Sequence, residues 1–284
     1  VHAFLFFCAG VSILTTIRIV VVQLVESVRF FVDVSVIDFL TDTKWTPLLK
    51  PQHFGIMPLM CGTLLVAIGS SLIAVPVGLG TAIFLSEYAP PRLRNIIKPV
   101  VEVLAGIPSV VYGYFAIVSI SPLVRGVFPS AGPFNAASAC AVVGIMTLPV
   151  IISLSEDALR AVPRSLREGA YALGATKFDT TVSVVVPAAM SGIVASFLLA
   201  ISRAIGETMA VTLAAGATPK MTLNPLESVQ TMTAYIVQIS QGDTPAGTVE
   251  YRTIFAVGLS LFLSTMVLNL LAQWILASMR ERYE

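Results

Sequence analysis

PRSLREGAYALGATKFDTTVSVVVP, residues 163–187, is the longest polar interruption in an otherwise apolar second half of the chain. Ser165 followed three residues later by Glu168 reads as a capping box, the serine accepting from a free backbone N–H and the glutamate reaching back. Leu166, Ala170 and Leu173 fall at i, i+4 and i+7, which gives a short helix one apolar edge. Gly174 stands where a left-handed C-terminal stop belongs. Thr176 with Asp179 starts a second helix that should run to about Pro187. The segment therefore predicts a helix–turn–helix, and what lies on either side makes it a loop between two membrane spans.

Those flanks follow from composition. Of 284 residues, 56% are hydrophobic and only 12% charged, about half the charge of a soluble domain. Apolar runs at 3–25, 56–86, 96–121, 135–154, 189–215 and 254–278 are each long enough, or nearly so, to cross a bilayer. This predicts an all-α integral membrane protein of about six transmembrane helices with a helix–turn–helix between the fourth and fifth. Residues 1–55 hold the first span and a mixed segment with a short helix and an interfacial Trp45. Residues 56–284 form the main membrane domain, with the polar loop at 155–188. The first run is too long, and lacks the small-x-small exit, for a cleaved signal peptide.

Within the second run Ser70, Ala74, Gly78 and Ala82 recur every four residues, a ridge that lets another helix approach closely. Pro76 predicts a tilt or kink there, and Pro108 interrupts the third run. Glu102, four residues from Lys98, reads as its interfacial partner. Residues 122–134 read as a Pro/Gly-rich turn, and a partial helix is expected around 228–240. Cys8, Cys61 and Cys140 all lie in apolar runs and read as buried thiols. His2 and His53 are too far apart to suggest a zinc site, so no metal is expected.

The net charge is +1 and the 17 basic residues are scattered, which argues against nucleic-acid binding. With both ends inside, the inner segments carry Arg92, Arg94, Lys98, Arg160, Arg164, Arg167, Lys177, Arg280 and Arg282. The outer segments carry Arg29, Lys44, Lys50, Arg125, Lys220 and Arg252. The inner set is larger and clusters near span ends, so the termini and residues 155–188 are expected in the cytoplasm. No G-x4-G-K-[ST] phosphate loop is present, so the chain does not bind ATP by that route.

Arg203 and Glu207 lie inside the fifth run, in LLAISRAIGETMAVTLAAG. Four residues apart, they would share one helix face and reach each other. Ionisable groups at that depth normally face a cavity, a partner or a substrate. Gly206 between them permits close approach or local unwinding. An arginine fork suits a tetrahedral oxyanion. The bland alternative is an internal ion pair that fixes helix register.

Two resemblances sharpen this reading. Glu168, Gly169, Ala170, Gly174 and Pro187 match the EAA loop of ABC importer permeases, E-A-A-x3-G-x9-I-x-L-P, without insertion. Gly169 replaces the first Ala, and Val184 and Val186 replace Ile and Leu. In that family the loop docks into a cleft on the ATP-hydrolysing subunit. RAIGETMAVTLAAG, with VEVLAGIPSVVYGYF at 101–115 and FGIMPLMCGTLLVA at 54–67, resembles the PstC-type permeases of bacterial phosphate importers over about residues 36–280.

The resemblance implies a non-enzymatic, multi-pass subunit of the bacterial inner membrane that forms half of a phosphate path. It further implies a PstA-like second permease, a PstB-like ATPase dimer carrying the ATP and Mg, and a PstS-like binding protein outside. Lipid is the remaining partner, and this chain itself would hold no cofactor. Importer permeases for molybdate, sulfate or an organic solute share the EAA loop, and the sister permease PstA shares part of the other strings. An autonomous channel or secondary transporter, or a membrane scaffold, remain as readings of a different class.

Overall fold

In the computed structural model, which describes residues 2–279, helices account for nearly all regular structure. They are α1 His2–Asp33, α2 Val36–Thr41 and α3 Met57–Ile83, then α4 Pro91–Ala105, α5 Ser109–Val127 and α6 Ala136–Ala161. Next come α7 Arg164–Ala172, α8 Lys177–Ala188 and α9 Met190–Ile205. The last are α10 Met209–Ala214, α11 Met232–Gln241 and α12 Val249–Met279. Five described helices are long and apolar enough to cross a membrane, and the pair α8–α9, bent by 68°, brings the number to six. The charged tail at Arg280, Glu281 and Arg282 lies outside the described residues.

Three π turns, Phe84–Tyr88, Ala116–Ile120 and Thr181–Val185, each end two residues before a proline: Pro90, Pro122 and Pro187. A proline ring collides with the carbonyl four residues earlier. Those carbonyls, on Ser86, Val118 and Ser183, all fall within the π turns, where the wider coil gives them room. This is why α5 continues to Val127 through what reads in sequence as a Pro/Gly-rich turn. Pro76 and Pro149 sit inside α3 and α6 without breaking either.

The centre of the molecule is the packing of α3 on α6. Ser70, Ala74, Gly78 and Ala82 are all buried there, as the ridge predicts. A Cβ on Gly78 would lie 2.6 Å from Ile151 Cγ2, so only glycine permits this approach. Lipid tails are as apolar as leucine, so contact of this kind, rather than escape from water, holds such helices together.

Helix α1 lies against α12, where the Phe255 carbonyl accepts from Gln23 Nε2 at 2.5 Å and Ser27 Oγ at 2.9 Å. Its other faces expose Phe4, Phe6, Phe7 and Leu14, the surface expected of a lipid-facing helix.

Several expectations need correction. The third run is not one span: α4 ends at Ala105, Gly106–Pro108 break the chain, and the spanning helix starts at Ser109. Lys98 pairs not with Glu102 but with Glu156 at 3.2 Å and Asp157 at 3.3 Å on α6. Trp45 is not interfacial. It is buried, edge-on to Tyr235 with ring centres 4.9 Å apart, in a cluster with Phe30 and Phe39. Of the thiols only Cys140 is buried; Cys61 is half-buried and Cys8 exposed.

Candidate functional site

The hairpin at 163–187 forms, but not with the expected start. Pro163 is the N-cap of α7 and no side-chain cap is made. Ser165 therefore lies inside the first turn, two positions too far along to close a box on Glu168. Glu168 is exposed, and among the described residues no hydrogen bond or ion pair engages it.

The turn itself closes as the glycine requires. Ala175 N donates to the Ala170 carbonyl (3.1 Å) and Gly174 N to the Tyr171 carbonyl (3.0 Å), a Schellman motif, with Gly174 at φ +86°. Thr176 then caps α8 reciprocally with Asp179.

Arg167 ties the hairpin to the membrane helices. Its guanidinium donates to Glu87 at the end of α3 (3.0 and 3.4 Å), and to the carbonyls of Leu159 (2.8 Å) and Val162 (2.6 Å) at the end of α6. Both carbonyls lie at the helix terminus, where i+4 donors are missing, so one side chain caps α6 and links it to the π turn that follows α3. Lys177 Nζ stands 4.9 Å over the Tyr88 ring. Beneath, Leu166 packs against a buried cluster of Ala82, Leu159, Val162, Val185 and Ile193.

Leu173 belongs to no such edge: it is 90% exposed, beside exposed Tyr171 and Phe178. The hairpin has one face locked to α3, α6 and α9. The other presents Glu168, Gly169 and apolar side chains outward, with Ala170 half-buried between and Gly174 and Pro187 exposed.

Gly174→Val is expected to destabilise the turn by about 1–2 kcal/mol, because a β-branched residue must hold a left-handed conformation. No atom lies within 4 Å of a Cβ there, so the cost is conformational rather than steric. Gly169→Ala meets equally open space inside a helix and should stabilise α7 by about 0.5–1 kcal/mol. Proteolysis rates at the hairpin check both: faster cleavage for Gly174→Val, slower for Gly169→Ala. The reverse order would contradict the assigned backbone.

The Arg203–Glu207 pair does not exist as an i,i+4 pair. Helix α9 ends at Ile205, Gly206 caps it, and α10 begins only at Met209. Glu207 instead accepts from Ala210 N at the start of α10 (3.2 Å), while its carbonyl accepts from Thr233 Oγ1 on α11 (2.7 Å). Arg203 is exposed in the last turn of α9, and among the described residues no hydrogen bond or ion pair holds it.

A second break faces this one. Tyr112 Oη spans the gap at Gly106–Pro108 by donating to the Leu104 carbonyl (2.8 Å), and it lies within electrostatic range of Arg203. The helices beyond the two breaks, α5 and α10, are in contact: Gly113 admits Ala210 and Leu213 so closely that a Cβ would sit 2.8 Å from Leu213 Cδ1. The strings AGIPSVVYG and RAIGETMAV thus form one structure, two interrupted helices with an unpaired arginine beside them.

A third group escaped sequence reasoning. Glu156, expected in a polar loop, is fully buried in α6, 2.5 Å from Arg94 and 3.2 Å from Lys98 on α4, and 3.7 Å from Arg160. Its one sequence signal was Arg160 at i+4; the partners on α4 are some 60 residues away.

The chain matches the family of binding-protein-dependent transport system inner membrane components over residues 74–283. It is 36% identical over 270 residues to the probable ABC transporter permease protein YqgH of Bacillus subtilis, covering 94% of this chain and 87% of that protein. To the phosphate transport system permease protein PstC of Mesorhizobium japonicum it is 33% identical over 263 residues, covering 86% and 79%. Among solved structures, an inward-facing MetNI methionine ABC transporter chain superposes with a TM-score of 0.64 at 17% identity, covering 82% of this chain and 100% of that one. That last likeness concerns the fold alone.

Proposed function

This chain belongs to the family of binding-protein-dependent transport system inner membrane components, and from that premise we propose that it is the PstC-type permease of an ATP-driven phosphate importer. It is a membrane permease subunit rather than an enzyme, and its family implies an ATPase and a substrate-binding protein as partners. The finer assignment is a PstA-like second permease, a PstB-like ATPase dimer holding ATP and Mg, and a PstS-like phosphate-binding protein.

The observation that carries the substrate reading is Arg203. An unpaired guanidinium on a membrane helix is costly unless it faces a polar path, and here it stands exposed beside two helix breaks. Such breaks are where transporters place solute contacts. The fork matches phosphate, and the second permease would close the other side of the path.

The hairpin supplies the coupling. Glu168, Gly169, Ala170, Gly174 and Pro187 form or flank its outward side, with Leu173 and Phe178 as apolar anchors for a cleft on the ATPase. Displacement of that face is passed to α3 and α6 through Arg167 and the cluster beneath. The bundle then repacks between inward- and outward-open arrangements.

The test is to reconstitute the chain with its co-expressed partners and measure ATP hydrolysis with binding protein and each anion in turn. Phosphate should stimulate it; stimulation by sulfate or molybdate and not by phosphate would assign another substrate.

Orientation is checked separately in a chain with Cys8, Cys61 and Cys140 replaced. Ser130→Cys and Asp243→Cys should label from outside, and Leu173→Cys only after permeabilisation. Labelling of position 173 in intact cells would place the hairpin on the wrong side of the membrane for an ATPase.

A further inference from the structure

Behind the hairpin, between it and the ends of α3, α4 and α6, lies a cavity of about 470 Å³ lined by Arg94, Arg160, Arg164, Arg167 and one carboxylate, Glu87. The protein answers only part of this charge. Glu87 takes Arg167, and Glu156 takes Arg94. Arg160 stands 3.7 Å from Glu156, makes no hydrogen bond to it and is 48% exposed. Among the described residues Arg164 has no hydrogen bond or ion pair. Lys98, which does not line the cavity, is shared between Glu156 and Asp157. Four guanidiniums therefore line a concavity that holds one carboxylate, with Glu156 buried behind it. A cleft lined by one sign of charge concentrates the opposite ion. Arg164 is also the first residue of α7, whose N-terminus has no side-chain cap and adds its own partial positive charge.

We propose that this cavity binds a phosphate group, carried either by an anionic phospholipid headgroup or by free inorganic phosphate, at a place separate from the transport path. Forked donors arriving from different helices fit a tetrahedral phosphate, whose free oxygens point in different directions, better than a planar carboxylate. Basic pockets at a membrane face are where lipid phosphates are held. The four arginines come from three elements: Arg94 from α4, Arg160 from α6, and Arg164 and Arg167 from α7. An occupant would bridge the coupling hairpin to both membrane-facing helices and stiffen the joint through which it acts. The inference stands on the fold and the hairpin, not on the role of Arg203.

The experiment uses the purified permease–ATPase complex without its binding protein, titrated calorimetrically at constant ionic strength. One arm adds short-chain phosphatidylglycerol against phosphatidylcholine; the other adds inorganic phosphate against chloride. The expected result, read in an Arg203→Gln background so that the transport path contributes nothing, is binding in at least one arm that weakens about ten-fold when Arg160→Gln/Arg164→Gln is added, the loss of about one charge-assisted hydrogen bond. The lipid arm responding assigns a headgroup, and the phosphate arm assigns the free ion. No binding in either arm in the Arg203→Gln background, or equal binding when Arg160→Gln/Arg164→Gln is added, would each overturn the proposal. Should the double variant fail to assemble, Arg164→Gln alone removes a side chain that touches no carboxylate and reads the same outcome.

Discussion

Arg203→Gln should abolish binding-protein-dependent phosphate uptake, by on the order of 100-fold or more, while the importer still assembles. Two charge-assisted hydrogen bonds at about 1.5–3 kcal/mol each account for a loss of that size. The structure separates this from misfolding, because among the described residues Arg203 has no partner carboxylate. Its removal strands no buried counter-charge, so the usual penalty for halving an ion pair does not arise. Arg203→Lys should restore only a fraction, keeping the charge and losing the fork. Glu207→Gln should be mild, since an amide oxygen can still accept from Ala210 N. Glu207→Ala should be worse, because it frees the start of α10 and loosens the break that presents Arg203. Uptake in proteoliposomes, with subunit stoichiometry measured on the same preparations, checks all four. Full uptake in Arg203→Gln, or loss of assembly with it, would return Arg203 to a packing role.

Glu156→Gln should be the most destabilising single change in this set, at about 3 kcal/mol. The carboxylate is fully buried and answers Arg94, Lys98 and Arg160 together. Removing one partner of a buried pair typically costs 3–5 kcal/mol. The lower end applies here, because the three cations are partly exposed and water screens what is left. Arg94→Met should cost less, since Lys98 and Arg160 still neutralise Glu156.

The thermal midpoint of the detergent-purified complex reports both, and the alkaline limb adds a second reading. Burial alone would lower the Lys98 pKa, but the hydrogen bonds and charges of Glu156 and Asp157 outweigh it and raise it above 10.5. The stability this contributes is complete below about 10.5 and lost as pH climbs through the raised folded value. Glu156→Gln should flatten that loss. An unchanged midpoint in Glu156→Gln would mean that α4 is held to α6 by something other than this cluster.

The chain's own grammar settled whatever depends on neighbours close in sequence. Apolar length predicted about six membrane helices, though not the bounds of the third and fifth, the four-residue repeat from Ser70 to Ala82 predicted a buried helix contact, and Gly174 predicted the left-handed turn. Thr176 with Asp179 predicted the start of the second hairpin helix, and a capping box forms there. Each rests on one element's own periodicity or a turn of a few residues, where the physics is local.

Ser165 and Glu168 had the spacing of a box but not its position. Where a helix begins depends on where the preceding one ends, and Arg167 fixes α7 against the carbonyls of α6. Likewise Arg203 and Glu207 had helical spacing but no continuous helix to share. Thr233 from α11 and Gly113 from α5 support the interrupted backbone, and neither can be inferred from the residues between positions 203 and 207.

Glu156 was legible only as a polar residue near a loop. Its burial is the work of α4, which the break at Gly106–Pro108 turns back across α6. Trp45 was drawn inward for the same reason, by Tyr235 nearly 200 residues later. What tertiary structure alone decided is which charges are paired and which are left free. That is set by electrostatic contact between distant segments, whereas helix spacing records only what one segment offers.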